Sequence, residues 1–103
     1  MSSLTSKQRA YLRKLAHHLK PVVFVGSDGI TPSVLGSMAE AFNTRELLKI
    51  KLQESAPLSV REAADRLTEG VEGSHSVQII GRTIVLFRAD PENPEIRLPR
   101  QGS

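Results

Sequence analysis

Two glycines three residues apart, Gly26 and Gly29, enclose Ser27 and Asp28 after an apolar run and just before Thr31-Pro32. Where a strand hands over to a helix, backbone N–H groups point outward and the helix end carries partial positive charge. Glycine at such a turn lets a phosphate approach the backbone closely. This is anion-binding chemistry, and a GxxG turn of this kind is able to clamp a nucleic-acid backbone. Taken alone the signal is weak, because a tight strand-to-helix turn uses two glycines for steric reasons as well. The Asp28 carboxylate also repels phosphate unless it points away.

The distribution of charge strengthens that reading. The 103 residues carry a net charge of +3. Residues 1–31 hold Lys7, Arg9, Arg13, Lys14 and Lys20 against a single acid, Asp28. Residues 53–76 reverse the balance, with Arg61 and Arg66 against Glu54, Glu62, Asp65, Glu69 and Glu72. A basic end and an acidic segment in one small molecule point to a polyanionic partner. Lys49, Lys51, Arg82 and Arg88 extend the basic patch if the fold presents them on the same side. The acidic face of Glu62, Asp65 and Glu69 reads first as solvated. As an alternative function it would make the chain a protein-interaction module that binds a basic partner protein.

Other chemistries find little support. With no cysteine, disulfides, thiolate metal sites and cysteine nucleophiles are excluded. His17 and His18 are adjacent, and neighbours on a helix point about 100° apart, so they do not share a metal. His75 falls in a Gly/Ser-rich turn. No nucleophile elbow frames a serine, and no GxxxxGK[ST] loop is present. No catalytic residue, metal, cofactor or small-molecule substrate is therefore expected. Apolar runs such as Val22 to Val25 are far short of the roughly 18 residues of a membrane span. Met1-Ser2-Ser3-Leu4-Thr5 has no apolar signal region. The expectation is a cytoplasmic, monomeric protein that does not enter a membrane. Only four aromatic residues occur, Tyr11, Phe24, Phe42 and Phe87, too few for a wide stacking platform.

The elements that must position these groups follow from pattern. Thr5-Ser6-Lys7-Gln8 is spaced as a capping box and opens a helix reaching about Leu19, with Tyr11, Leu12, Leu15 and Leu19 on one side. Arg9, Arg13, His17 and Lys20 gather on another side, and Pro21 ends the helix. Pro21 to Val25 reads as a buried strand. Thr31 and Pro32 start a second helix whose apolar face is Val34, Leu35, Met38, Ala41 and Phe42. Leu48, Ile50 and Leu52 alternate with Lys49, Lys51 and Gln53 as a half-buried strand. Ser59 to Glu62 forms a second capping box for a helix that buries Val60, Ala63, Ala64 and Leu67. Residues 76–80 and 83–87 are two strands joined by Gly81-Arg82 in a type II′ hairpin.

The order α-β-α-β-α-β-β predicts an α/β fold, a two-layer sandwich with a four-stranded mixed sheet and helices mainly on one face. Residues 1–89 form one domain. Residues 90–103, with Pro91, Pro94 and Pro99, form an extended tail that Ile96 and Leu98 could dock.

These residues resemble the CRM domain family in its stand-alone bacterial, YhbY-like form. The matching stretches are residues 4–9, 15–23, 25–31, 46–51, 77–88 and 96–100. They include Val25-Gly26-Ser27-Asp28-Gly29-Ile30-Thr31 and Ile79-Ile80-Gly81-Arg82-Thr83. Residues 53–76 match least. The resemblance implies a fold similar to the C-terminal domain of translation initiation factor 3. It implies RNA binding through Gly26, Ser27, Asp28 and Gly29, with Lys7, Arg9, Arg13, His17 and Lys20 beside them. The partner it implies is ribosomal RNA of precursor large subunits, bound during ribosome assembly; in the alternative function, the acidic third helix would bind a basic ribosomal protein or assembly factor.

Overall fold

The computed structural model describes residues 4–99. The chain forms α1 (Ser6–Ala16), β1 (Pro21–Val25), α2 (Pro32–Ala41), β2 (Leu47–Leu52), α3 (Val60–Gly70), β3 (His75–Ile80) and β4 (Thr83–Phe87). The element order, the α/β class and the mixed four-stranded sheet are those read from the sequence. The Thr5 hydroxyl accepts from the Gln8 N–H at 3.1 Å, and the Gln8 side chain accepts from the Thr5 N–H at 3.0 Å. At α3 the Ser59 hydroxyl accepts from the Glu62 N–H at 3.1 Å, while the Glu62 carboxylate turns to Arg66 at 3.4 Å. That helix therefore has one arm of the predicted box.

The first helix ends at Ala16 rather than near Leu19. Proline disfavours helical backbone at the residue before it, so Lys20 must be extended and the chain must turn earlier. It does so over His17 and His18, where His17 N–H donates to the Lys14 carbonyl and Leu19 N–H to that of Ala16.

Strand order is β1-β2-β4-β3. Strand β1 runs parallel to β2, and β4 is antiparallel to both β2 and β3. The two crossovers, β1-α2-β2 and β2-α3-β3, step the same way across the sheet. A common right hand then places α2 and α3 on the same face. Met38 of α2, Phe42 at its C-terminal cap, and Ala63, Ala64 and Leu67 of α3 pack there on Val23, Val25, Leu48, Ile50, Leu52, Ile84 and Leu86. Gly70 lets the two helices meet, since a Cβ there would stand 2.6 Å from Leu35 Cδ2.

Helix α1 belongs to no crossover and is free of that rule. It covers part of the opposite face, where Leu12 and Ala16 pack on Leu47, Val77, Val85 and Phe87. So the sandwich carries a partial third layer beyond the two expected. Tyr11 and Leu15, placed on the apolar side by periodicity, are exposed at the rim.

The segment after β4 closes the same small core. Ile96 and Leu98 dock beside Leu4 and Leu19, as the sequence suggested. Glu46, only 6% exposed, holds the segment in place. Its carboxylate accepts N–H bonds from Asp90 at 2.6 Å, Ile96 at 2.7 Å and Glu95 at 3.0 Å. The Gln8 amide adds a bond to the Pro99 carbonyl at 3.1 Å.

Strand β1 is not a buried strand. It lies at a sheet edge, and only Val23 and Val25 face the α2/α3 core. Because all its side chains after Pro21 are apolar, alternation could not show which ones face outward. Val22 and Phe24 do, at 40% and 53% exposure.

Candidate nucleic-acid interface

The turn after β1 is built as a tight reversal. Gly29 N–H donates to the Gly26 carbonyl at 3.0 Å. Gly29 has φ +71°, a conformation that favours glycine, and is buried where an added Cβ would meet Pro57 and Leu58. Gly26 passes Gln53 so closely that a Cβ would lie 3.0 Å from Oε1. Ser27 and Asp28 form the exposed tip. At the helix that follows, Pro32 has no N–H, and the Val34 N–H is already taken by the Thr31 hydroxyl at 3.1 Å. The start of α2 thus offers fewer donors to a phosphate than an uncapped helix would.

Alternation along β2 sorts its lysines. Leu48, Ile50 and Leu52 face α2 and α3, so Lys49 and Lys51 face the α1 side. There a cleft of about 560 Å³ lies between α1 and the sheet. Arg13, Lys14, His17 and His18 line one wall, and Lys49, Gln78, Ile80 and Val85 line the other. The wheel of α1 explains the layout: with Leu12 and Ala16 inward, Gln8 flanks them toward the docked C-terminal segment, and Arg9, Arg13 and the capping residue His17 flank them on the side of the open sheet. Lys20 is exposed and immediately precedes β1. Lys7 is exposed in the first turn of α1.

The predicted cations therefore do not crowd around the glycine turn. Arg13, Lys14 and Lys49 line the cleft, and Lys51 continues the same face of β2 toward the glycine turn, so these four form a band along the α1 side of the sheet. Lys51 pairs in register with Phe24 of β1, two residues before Gly26. Arg82 stands at the same end of the sheet. Its guanidinium donates to the carbonyls of Leu52 at 3.2 Å and Gln53 at 2.7 Å, which links the hairpin tip to the segment behind the turn. Lys49 is half-buried and donates from Nζ to the Leu19 carbonyl at 3.0 Å, bracing the α1–β1 connection.

Two predicted residues have other placements. Arg9 is half-buried at the α1–β3 junction, where its Nη1 donates to the carbonyls of Ser76 and, at 3.3 Å, Val77. Arg88 follows β4 at the end of the sheet away from the glycine turn. By alternation it lies on the α2/α3 side, where a Cβ added at Gly73 would stand 3.8 Å from its Cγ. The structure does not bring it to the band. Near Arg9, the His75 pKa lies below its ordinary value, first because burial disfavours the imidazolium and second because the guanidinium repels it.

What pattern reading missed is the apolar content of this face. One row across all four strands reads Phe24, Lys51, Thr83, Ile80 in register. Phe24 and Ile80 are each at least half exposed. The signal available in the sequence was Pro21 at the head of the strand, since proline within a sheet is confined to edges, strand starts and bulges. Among the described residues no cluster of His, Cys, Asp or Glu could hold a metal ion. None of the helices among them is long and apolar enough to cross a membrane.

Comparison with known proteins gives a consistent picture. The model of the CRS1 / YhbY (CRM) domain family matches residues 4–88. A Bacillus subtilis protein named "Probable RNA-binding protein YqeI" is 40% identical over 96 residues, which is 93% of this chain and 99% of that one. A Haemophilus influenzae protein named "RNA-binding protein" is 39% identical over 105 residues, 98% of this chain and 100% of that one. The solution structure of the hypothetical protein SAV1595 from Staphylococcus aureus superposes with a TM-score of 0.79 at 37% identity. That match covers 94% of this chain and all of the other.

Proposed function

Because the chain belongs to the CRS1 / YhbY (CRM) domain family, we propose that it is an RNA-binding protein that docks on structured RNA through the α1 side of its sheet. The observation that carries this reading is the row of Arg13, Lys14 and Lys49 along one cleft, beside His17, continued by Lys51 on the same face of β2. Basic side chains arranged along a groove neutralise successive phosphates and release their counterions. The Ser27 and Asp28 tip of the glycine turn lies at the end of that band and offers backbone N–H groups to one further phosphate. Its role follows from position, with the Asp28 carboxylate opposing it. Nothing here requires a catalytic step, and the function is binding.

The RNA we assign is ribosomal RNA of precursor large subunits, met during ribosome assembly. The names of the relatives support RNA as the partner class. The finer target is tested by crosslinking in cells with ultraviolet light, followed by sequencing of the attached RNA and identification of the crosslinked peptides. Large-subunit precursor RNA is expected, joined to peptides containing residues 13–29 and 47–52. Crosslinks confined to α3, or attachment to messenger RNA alone, would contradict the assignment.

A further inference from the structure

The outward row Phe24, Lys51, Thr83, Ile80 contains an exposed aromatic ring that packing does not explain. We propose that Phe24 is a stacking post for one unpaired RNA base, so that the RNA bound here contains a bulged, looped or single-stranded nucleotide rather than continuous duplex alone. The inference rests on the RNA-binding reading and adds to it the form of RNA.

Three observations lead to this occupant. The ring lies on an edge strand, so one side of it is open to a ligand that approaches from beyond β1. Its register partner is Lys51, and Lys49 precedes that lysine by two residues on the same face. A base with its attached phosphate presents an apolar π-face and a negative charge at that spacing, and stacking on an aromatic side chain tolerates any base. A protein surface would fit less well. The apolar side chains of the row are separated by a lysine, whose ammonium would have to leave water in an apolar interface. The Ile80 end of the row lies three strand spacings away, about 14 Å, and opens into the α1 cleft. Phosphates on either side of the stacked nucleotide then reach Lys51 and the cleft in one direction, and the glycine turn in the other.

The chain contains no tryptophan, so Phe24→Trp introduces a single reporter. The probes are an RNA hairpin with one bulged nucleotide and the same hairpin fully paired. Stacking predicts strong quenching of the introduced indole's emission by the bulged hairpin and little by the paired one. It also predicts that Phe24→Ala and Phe24→Leu lower the ratio of bulged to paired affinity about tenfold. If both hairpins bind while quenching and the ratio stay unmoved, the stacking post is refuted and RNA binding stands. If neither hairpin binds, the RNA-binding reading itself fails and the stacking post with it. If emission changes with protein concentration alone, and sedimentation shows dimers, a second copy of the chain covers the ring and the proposal is overturned.

Discussion

Arg9 of α1 donates through Nη1 to the main-chain carbonyls of Ser76 and Val77 and so ties the helix to the first residues of β3. Pattern places Arg9 and Arg13 in the same basic stripe, but the two have different roles. Hydrogen bonds from a half-buried charged group add stability, and removing the donor leaves carbonyls short of a partner. Arg9→Ala should therefore lower unfolding free energy by about 1–2 kcal/mol. Arg13→Ala, at an exposed position, should change it by less than about 0.5 kcal/mol. Urea unfolding of the two variants checks this, and equal stability losses would contradict it.

His75 makes stability pH-dependent close to neutrality. Its folded pKa lies below the ordinary value of 6.5, through burial and then the charge of Arg9. As pH falls through the ordinary value the unfolded chain takes up the proton first, so the native state loses stability. The loss continues until pH passes the lowered folded value and then levels off. Thermal unfolding between about pH 7.5 and pH 5 should show this decline, and His75→Gln should flatten it. A decline unchanged in the variant would assign the effect to other groups.

Glu46 is the anchor of the C-terminal segment. Its buried carboxylate accepts from three main-chain N–H groups, at Asp90, Glu95 and Ile96. Glu46→Ala leaves those donors unsatisfied and should cost about 2–4 kcal/mol. It should also release residues 90–99 to rapid proteolysis. Glu46→Gln keeps an acceptor oxygen and should fall between. Protection of the segment from protease in both variants would show that Ile96 and Leu98 hold it alone.

Much of this fold was legible in residue patterns. The Thr5–Gln8 and Ser59–Glu62 spacings and the Thr31-Pro32 pair mark helix starts because capping chemistry is local. Lys49 and Lys51 could be assigned to one face because strand alternation is local too. The side on which α1 packs, and hence which band those lysines join, depends on long-range topology that no short motif carries. The uniform apolar run Val22 to Val25 hid the outward-facing Phe24, because alternation needs contrast to be seen. Arg88 could not be told from Arg82 by residue type; only the register of β4 separates them.

Two glycines separate conformational demand from simple occupancy. Gly29 has φ +71°, and a Cβ there would meet Pro57 at 3.4 Å. Gly29→Ala should destabilise by about 1–2 kcal/mol. Gly36 lies inside α2 with nothing within 4 Å of an added Cβ. Gly36→Ala should stabilise by about 0.5–1 kcal/mol. Denaturant melts of the pair check both signs, and a destabilised Gly36→Ala would show that α2 is constrained in some other way.

The most direct measurement for the cationic band is RNA affinity as a function of salt. With about five phosphates neutralised, the logarithm of the association constant should fall against the logarithm of salt concentration with a slope of about −4. Removing Arg13 and Lys51 together should bring that slope toward zero by about 1.5, with the loss spread evenly over different RNA sequences. A flat salt dependence in the unaltered protein, or a slope that the double variant leaves unchanged, would contradict docking along the α1 side of the sheet.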